Sequence, residues 1–192
     1  AASDVYKRQA LMNLMGALTP ELFFDSQFYQ LGLPNKWILE GRIRPTKYIT
    51  QSFFPFNVNM LYLFLLNIKG VISAKILHWG LGIFLSFSIY VFSRRFFSRI
   101  TSLSASLIFY SIPLVMNLSW KTAIEFGIGV FEFSSVFSLI NYFNTKNKNW
   151  LFLSGIFSGF SIGSKYTAIF SFSAIIFSIF IVEFYYFKMN FR

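Results

Sequence analysis

Apolar segments about as long as a lipid bilayer is thick recur along this sequence from residue 71 onwards. A transmembrane helix needs about 20 predominantly apolar residues. Five segments reach or approach that length: residues 71–93, 101–120, 126–143, 150–163 and 167–187. Only 12% of the residues are charged and 55% are hydrophobic, which excludes an ordinary water-soluble domain. The pattern predicts an all-α, polytopic bundle of transmembrane helices.

The first 70 residues follow a different pattern. Residues 1–9 are polar and resemble a non-native leader, so we assign residues 10–192 to the membrane domain, beginning with the tail of a further span. Residues 19–70 form a long charged loop. The apolar stretch 56–68 inside it has about 13 residues, too few to cross a bilayer. It predicts a short interfacial or re-entrant helix within this first external loop.

The charge balance indicates the partners of the chain. Lys and Arg outnumber Asp and Glu by 17 to 7, a formal charge of +10. On a soluble protein this would suggest nucleic acid. Here the cations lie between apolar segments, so we expect membrane lipids or a phosphorylated lipid as partners, and no nucleic acid. The absence of Cys and the single His exclude thiol sites and multi-histidine metal sites.

Short basic loops predict the orientation, because Lys and Arg in them prefer the cytoplasm. Basic clusters lie in residues 94–99 and 146–148 and at Lys188 and Arg192. Even numbers of crossings separate these clusters, so all three can share one side. The long loop 19–70 would then lie outside. We therefore expect a multi-pass protein of the bacterial plasma membrane with its active site on the external face.

Two acids near the predicted external interface are candidates for chemistry, because carboxylates are costly near a bilayer. Asp25 begins the long loop and Glu125 begins the span 126–143. Acids from distant parts of a chain that meet at one depth can bind a divalent cation such as Mg or Mn, or divide proton transfer. Alternatively, each reaches water or pairs with a Lys, such as Lys121 for Glu125. Glu132 lies on the same helical face and either extends the site or pairs within the bundle.

A second candidate closes the short span 150–163. There Lys165 stands beside Ser164 and Tyr166, where a backbone donor, a hydroxyl and an ammonium can meet a phosphate. A Lys that only reaches for the membrane interface explains the position equally well. Glycines recur every four residues from Gly155 to Gly163 and predict close helix packing.

The order of short motifs carries a family resemblance. Residues 24–34 read Phe-Asp-Ser-Gln-Phe-Tyr-Gln-Leu-Gly-Leu-Pro, and residues 40–43 read Glu-Gly-Arg-Ile. Further motifs follow at residues 52–55, 60–62, 75–79 and 155–166. This order resembles bacterial GT-C fold glycosyltransferases that depend on a polyprenyl phosphate, the dolichyl-phosphate-mannose protein mannosyltransferase-like group. The resemblance spans residues 11–187, about a third of such an enzyme, so we expect an N-terminal fragment. Gln30 and Glu125 depart from the His and Asp that are common in this group.

The resemblance implies a chemistry as well as a fold. Such enzymes move a sugar from a polyprenyl-phosphate carrier to a lipid, glycan or protein acceptor on the external face, by direct displacement with inversion. Asp25 would be the general base, and Glu125 would orient the acceptor or share a divalent cation with Asp25. The residues implied in substrate binding are Tyr29, Lys36, Arg42, Arg44, Lys47, Lys165 and Tyr166.

Two other classes of function stay open. In a multi-pass transporter, Glu125 and Glu132 would line a proton or substrate path. In a non-catalytic protein of envelope-polysaccharide assembly, the bundle would serve only as a scaffold. The sequence shows no internal repeat of the kind transporters have. A long charged loop beside a short interfacial helix favours catalysis at the membrane surface.

Overall fold

The computed structural model describes the backbone of residues 2–190 and the side chains of residues 4–5 and 7–185. Within this range the regular structure is helical and no strand is present, which confirms the predicted all-α bundle. The helices are α1 (Ala2–Ala17), α2 (Gly32–Glu40), α3 (Asn57–Lys69), α4 (Val71–Ser93), α5 (Arg99–Ser111), α6 (Pro113–Ser119), α7 (Glu125–Thr145), α8 (Lys148–Ile162) and α9 (Ile169–Asn190). Short π or 3₁₀ turns occupy Ser26–Gln30, Thr50–Phe53 and Tyr166–Ala168. Helix α1 runs through residue 9, and the non-native origin of residues 1–9 stays a prediction.

Within the described part of the chain, three helical segments are long and apolar enough to cross a membrane. They are α4, α7 and the segment Tyr166–Tyr185, which contains most of α9. Helix α8 has 15 residues. At 1.5 Å per residue it is about 22 Å long, shorter than a bilayer core of about 30 Å. Helix α3, with 13 residues, is the short helix that the sequence predicts inside the long loop.

The predicted span 101–120 is a broken helix. Helices α5 and α6 pass the test for a span together but meet at an angle of 66°. Pro113 is the first residue of α6, and it has no N–H with which to continue the helix from α5. The preceding Ile112 is extended, with φ −60° and ψ 128°, as expected for a residue before proline. The chain therefore bends at this point.

The two ends of the bundle differ in character. The basic end, defined by Arg94, Arg95, Arg99, Lys146 and Lys148, brings two of the predicted cytoplasmic clusters together. Arg95 Nη1 donates to Asn141 Oδ1 at 2.9 Å, and the Lys146 ammonium lies 3.1 Å from Glu183 Oε1. The side chain of Lys188 and the whole of Arg192 lie outside the described residues.

At the opposite end, hereafter the loop end, the segment 18–56 packs against the connections 120–124 and 163–168. Lys75 is buried, and its ammonium donates to Thr19 O at 2.6 Å. This places a positive charge against the carbonyls that follow α1, where a helix dipole favours a cation. Asn57 N donates to Gly163 O at 2.9 Å, which joins the start of α3 to the end of α8.

Serine side chains of α8, and not Gly155 and Gly159, face α7. Ser135 Oγ lies 3.0 Å from Ser154 Oγ and 2.8 Å from Ser158 Oγ, and all three side chains are buried. A Cβ placed on Gly155 or Gly159 meets open space, so the predicted glycine packing is wrong for these two positions. Each of them follows a serine by one residue, about 100° around the helix, and therefore faces away from α7.

Gly163 does need to be small. A Cβ at this position would clash with Asn57 Nδ2, so the close packing predicted from the glycine series exists here, between the end of α8 and α3. Hydrogen bonds and small residues are the expected means of helix association in lipid, where apolar contact gives little driving force.

We expect Ser158→Leu to lower the free energy of unfolding, because it removes a hydrogen bond and overpacks the contact between α7 and α8. Overpacking typically costs about 1–3 kcal/mol. Gly159→Leu, one residue away on the open face, is the matched control and should not lower stability, because leucine has the higher helix propensity, by up to about 1 kcal/mol. Thermal unfolding in detergent measures both. Equal losses would show that the serine face is not the packing face.

Candidate active site

Asp25 lies at the loop end, immediately before the π turn Ser26–Gln30. Its backbone is already helical, with φ −62° and ψ −36°, and its side chain is partly buried. Within the described residues the Asp25 carboxylate has no hydrogen bond and no ion pair. It is therefore available to accept a proton or a hydrogen bond from a substrate.

Glu125 lies in the first turn of α7, where the helix dipole favours a negative charge. Its Oε2 accepts a hydrogen bond from Ile124 N at 3.0 Å, and its Oε1 lies 3.4 Å from Lys165 Nζ. The side chains of Glu125 and Lys165 are 43% and 45% exposed, so this ion pair contributes at most about 1 kcal/mol. Lys121, considered above as the partner of Glu125, instead lies over the ring of Phe23, 3.8 Å from its centroid.

Tyr29 connects the two carboxylates electrostatically. Burial raises the pKa of the Tyr29 hydroxyl, and the negative charges of Asp25 and then Glu125 raise this pKa further. Both acids therefore act on one phenol, which stays protonated and can donate a hydrogen bond. The sequence predicted that Asp25 and Glu125 lie at one end of the bundle, and the fold brings both within electrostatic reach of Tyr29.

The predicted cations of the long loop do not contact these acids. Helix α2 ends at Gly41, whose φ of 63° is left-handed, and the exposed stretch 42–49 follows. Glu40 holds two of the cations, with Arg44 Nε at 2.9 Å and Lys36 Nζ at 3.9 Å. The hydrogen bond from Arg44 lowers the pKa of Glu40.

The other predicted cations differ in what they contact. Arg42 is exposed and has no side-chain partner among the described residues. The Lys47 ammonium lies 5.9 Å from the centroid of the neighbouring Tyr48 ring. Lys165 is the predicted cation that contacts a predicted catalytic acid in the described part of the chain.

Tyr166 joins the connection between α8 and α9 to the long loop. Its hydroxyl donates to Phe53 O at 2.9 Å, and its ring meets that of Phe54 edge to face, with centroids 6.2 Å apart. The hydroxyl implied in substrate binding is therefore engaged with the backbone of this protein. The side chain remains 60% exposed at the loop end.

Glu21 is a part of the site that sequence reasoning missed. Its side chain is buried and its Oε2 accepts hydrogen bonds from Thr122 N at 2.8 Å and Thr122 Oγ1 at 2.7 Å. Thr122 lies three residues before Glu125, and Glu21 lies four residues before Asp25. The available signal was a second acid close to Asp25 in a chain with only 7 acids.

An open cleft of about 580 Å³ lies beside these residues, between the long loop, α3 and α4. Glu21, Gln27 and Asn35 are its polar lining, and neither Asp25 nor Glu125 borders it. Among the described side chains, no group of three or more His, Asp and Glu residues is placed to hold a metal ion. Any cation held by Asp25 and Glu125 would have two protein carboxylates as its ligands.

Comparison with known families decides the class of protein. The sequence model of the dolichyl-phosphate-mannose-protein mannosyltransferase family matches residues 56–188, more than half of the chain. The chain belongs to this family. The family consists of membrane glycosyltransferases of the GT-C type, which confirms the resemblance found in the sequence. No curated protein and no solved structure matches the chain.

The matched region contains only some of the candidate site residues. It includes Glu125, Lys165 and Tyr166, and it begins after Asp25 and Tyr29. The carboxylate and the cation that form an ion pair therefore lie in the matched region. The segment that carries Asp25 is connected to the family region by the structure, through its hydrogen bonds to Thr122.

We expect Tyr166→Phe to loosen the segment 50–56, because the hydrogen bond to Phe53 O is lost. A hydrogen bond of this kind contributes about 0.5–1.5 kcal/mol. Hydrogen exchange of residues 50–56 should become faster by about threefold or more. Tyr48→Phe is the matched control, because Tyr48 is 87% exposed and its hydroxyl has no partner among the described residues. Unchanged exchange in Tyr166→Phe would contradict the proposed link.

Proposed function

We propose that this protein moves a sugar from a polyprenyl-phosphate carrier to an acceptor on the external face of the cell membrane. The observation that supports this most is at the loop end. There, Asp25 has no ion pair among the described residues, Glu125 pairs with Lys165, and the negative charges of both acids raise the pKa of Tyr29. A base, an acid that can orient a substrate, and a cation are the groups that a displacement at an anomeric carbon needs.

In this proposal Asp25 is the general base. Its carboxylate accepts the proton of an acceptor hydroxyl while the oxygen of that hydroxyl attacks the anomeric carbon of the sugar. The bond between the anomeric carbon and the phosphate oxygen breaks, and the polyprenyl phosphate leaves with the bonding electrons. A single displacement of this kind inverts the anomeric configuration. The acceptor can be a lipid, a glycan or a protein.

Lys165 is the first candidate to bind the leaving phosphate. Negative charge grows on the phosphate in the transition state, and a cation already in place stabilises it without reorganisation. The 3.4 Å ion pair with Glu125 is exposed and weak, so a phosphate can compete for the ammonium. The Tyr29 hydroxyl would donate a hydrogen bond to the substrate, and the Tyr166 hydroxyl would do so after releasing Phe53 O.

The long loop supplies further cations that can bind the phosphate. Arg42 and Lys47 are exposed without an acidic partner among the described residues, whereas Lys36 and Arg44 are held by Glu40. In this proposal Arg42 and Lys47 reach the carrier directly, and Lys36 and Arg44 do so when they release Glu40. Cations near a membrane surface also attract anionic headgroups, which concentrates a phosphorylated lipid there.

A divalent cation such as Mg or Mn is a further part of the proposal. Asp25 and Glu125 would supply two carboxylate oxygens, and Mg²⁺ is commonly bound by one or two carboxylates together with phosphate oxygens and waters. Glu125 would have to release Lys165 to become a ligand, because its Oε1 faces the ammonium. When bound, the cation would neutralise charge on the donor phosphate.

Family membership favours this function over the two alternatives. The matched family transfers sugars in membranes, whereas neither a transporter nor a scaffold requires a general base at the membrane surface. The bundle offers several apolar helices for an embedded lipid carrier, and the two candidate acids lie at the loop end. The external location of that end rests on the distribution of Lys and Arg.

We expect Asp25→Asn to lower the rate of sugar transfer about 10²- to 10⁴-fold, because the amide cannot act as a general base. Transfer of labelled sugar from a polyprenyl-phosphate donor in membranes measures this rate. Glu183→Gln, which removes a carboxylate at the basic end, is the matched control and should leave transfer unchanged. Full activity in Asp25→Asn would remove this residue from the mechanism.

We expect Lys165→Ala to raise the KM for the polyprenyl-phosphate donor about tenfold, which corresponds to roughly 1.4 kcal/mol of binding. The KM for the acceptor should change less, because the ammonium is assigned to the phosphate. Lys148→Ala at the basic end is the control. A donor KM equal to that of the unaltered protein would leave Lys165 as a partner of Glu125 only.

A further inference from the structure

A buried carboxylate joins the segment that carries Asp25 to the segment that precedes Glu125. Glu21 is 9% exposed, and Thr122, which it binds, is completely buried. Glu21 Oε2 accepts from both the backbone N–H and the hydroxyl of Thr122, at 2.8 Å and 2.7 Å. These two residues are separated by 101 positions in the chain. Burial strengthens these bonds, because a hydrogen bond is electrostatically stronger in the protein interior than in water.

Further hydrogen bonds make the Asp25 segment rigid around this contact. Glu21 Oε1 accepts from Phe23 N at 3.0 Å, and the Gln27 side chain donates to Glu21 O. Ser26, next to Asp25, donates through its hydroxyl to Thr122 O at 2.5 Å. Residues on both sides of Asp25, namely Glu21 and Ser26, thus form hydrogen bonds to Thr122.

The partner segment is fixed equally well. Thr122 and Ala123 lie three and two residues before Glu125, and Tyr62 of α3 donates through its hydroxyl to Ala123 O. Glu125 itself accepts from Ile124 N at 3.0 Å. Thr122 and Ala123 are therefore hydrogen-bonded to Glu21 and to Tyr62, respectively.

We propose that Glu21 is a positioning residue that sets the separation between Asp25 and Glu125 through its two hydrogen bonds to Thr122. This inference rests on the proposed function, in which Asp25 and Glu125 act on one substrate. Glu21 does not touch the substrate in this arrangement, because its carboxylate oxygens accept three hydrogen bonds from the protein. Glu21 instead affects the reaction by fixing the positions of Asp25 and Glu125.

The chemistry of the contact requires a carboxylate. Three donors point at the two oxygens of Glu21, and an ionised carboxylate is the side chain that accepts at both oxygens. In a glutamine one of the oxygens becomes an NH₂ group, which would face a backbone N–H. The Lys75 ammonium is close enough to interact electrostatically with Glu21, and it bonds Thr19 O at 2.6 Å.

The expected effect is on catalytic rate more than on substrate affinity. A misplacement of reacting groups by about 1 Å can lower a rate about 10²-fold. We therefore expect Thr122→Val, which keeps the volume and the backbone N–H but loses the hydroxyl, to lower kcat by about tenfold or more. The KM for the donor should change by less than about twofold, because the phosphate contacts remain. Thr122→Ser, which keeps the hydroxyl, should restore most of the lost kcat.

The experiment compares Glu21→Gln, Thr122→Val, Thr122→Ser and the pair Glu21→Gln with Thr122→Val in the full-length protein. The double variant should be little worse than Glu21→Gln alone, because both changes remove the same contact. Thr145→Val, at the basic end, is the matched control for loss of a threonine hydroxyl. If Glu21→Gln does not fold, Thr122→Val alone carries the test. Unchanged kcat in Thr122→Val, or a loss that only follows the amount of folded protein, would overturn the inference.

A second measurement separates this inference from the proposed function. The chain has no Cys, so spin labels can be placed at Phe28→Cys and Ile169→Cys, both at exposed positions of the loop end. The distance distribution between the labels should broaden in Thr122→Val and stay narrow in Thr122→Ser. If Asp25→Asn retains full transfer, the proposed function fails whatever these labels show. If Asp25→Asn is inactive but the distribution and kcat are unchanged in Thr122→Val, the positioning role alone fails.

Discussion

Hydrogen bonds between distant segments hold the loop end of this bundle together. Helices in lipid gain little from apolar contact with one another, since the surrounding lipid is equally apolar. Buried polar groups, in contrast, are costly unless they find partners. At the loop end, Glu21 bonds Thr122, Lys75 bonds Thr19 O and Tyr62 bonds Ala123 O. These contacts select one arrangement of the long loop on the helices.

That arrangement fixes how the candidate catalytic residues lie relative to one another. Asp25 lies in the long loop and Glu125 in α7, so their separation depends on contacts between the two segments and not on local structure. The fold leaves Asp25 unpaired among the described residues and gives Glu125 an exposed, weak ion pair with Lys165. The groups that hold the site together are buried, and those proposed for chemistry are accessible. This division is typical of sites in which a rigid scaffold positions the reacting groups.

Much of the fold was predictable because its signals are local. The length of an apolar segment indicates a span, and α4, α7 and α9 cover segments predicted in this way. The short helix α3 followed from a stretch too short to cross a bilayer. The bend between α5 and α6 also has a local cause, Pro113, although the sequence was interpreted as a single span there. The placement of Asp25 and Glu125 at one end followed from counting crossings.

The sequence by itself determined the membrane class and the approximate spans, because the hydropathy of a segment depends only on residues that are neighbours in the chain. Counting the crossings between spans then predicted that the two acids lie at one end of the bundle. Only the tertiary structure decided which side chains contact one another. It paired Glu125 with Lys165, buried Glu21 against Thr122, and turned the serines of α8, not Gly155 and Gly159, towards α7. Such pairings depend on the rotation of each helix and the path of each loop. Both are set by contacts between residues far apart in the chain.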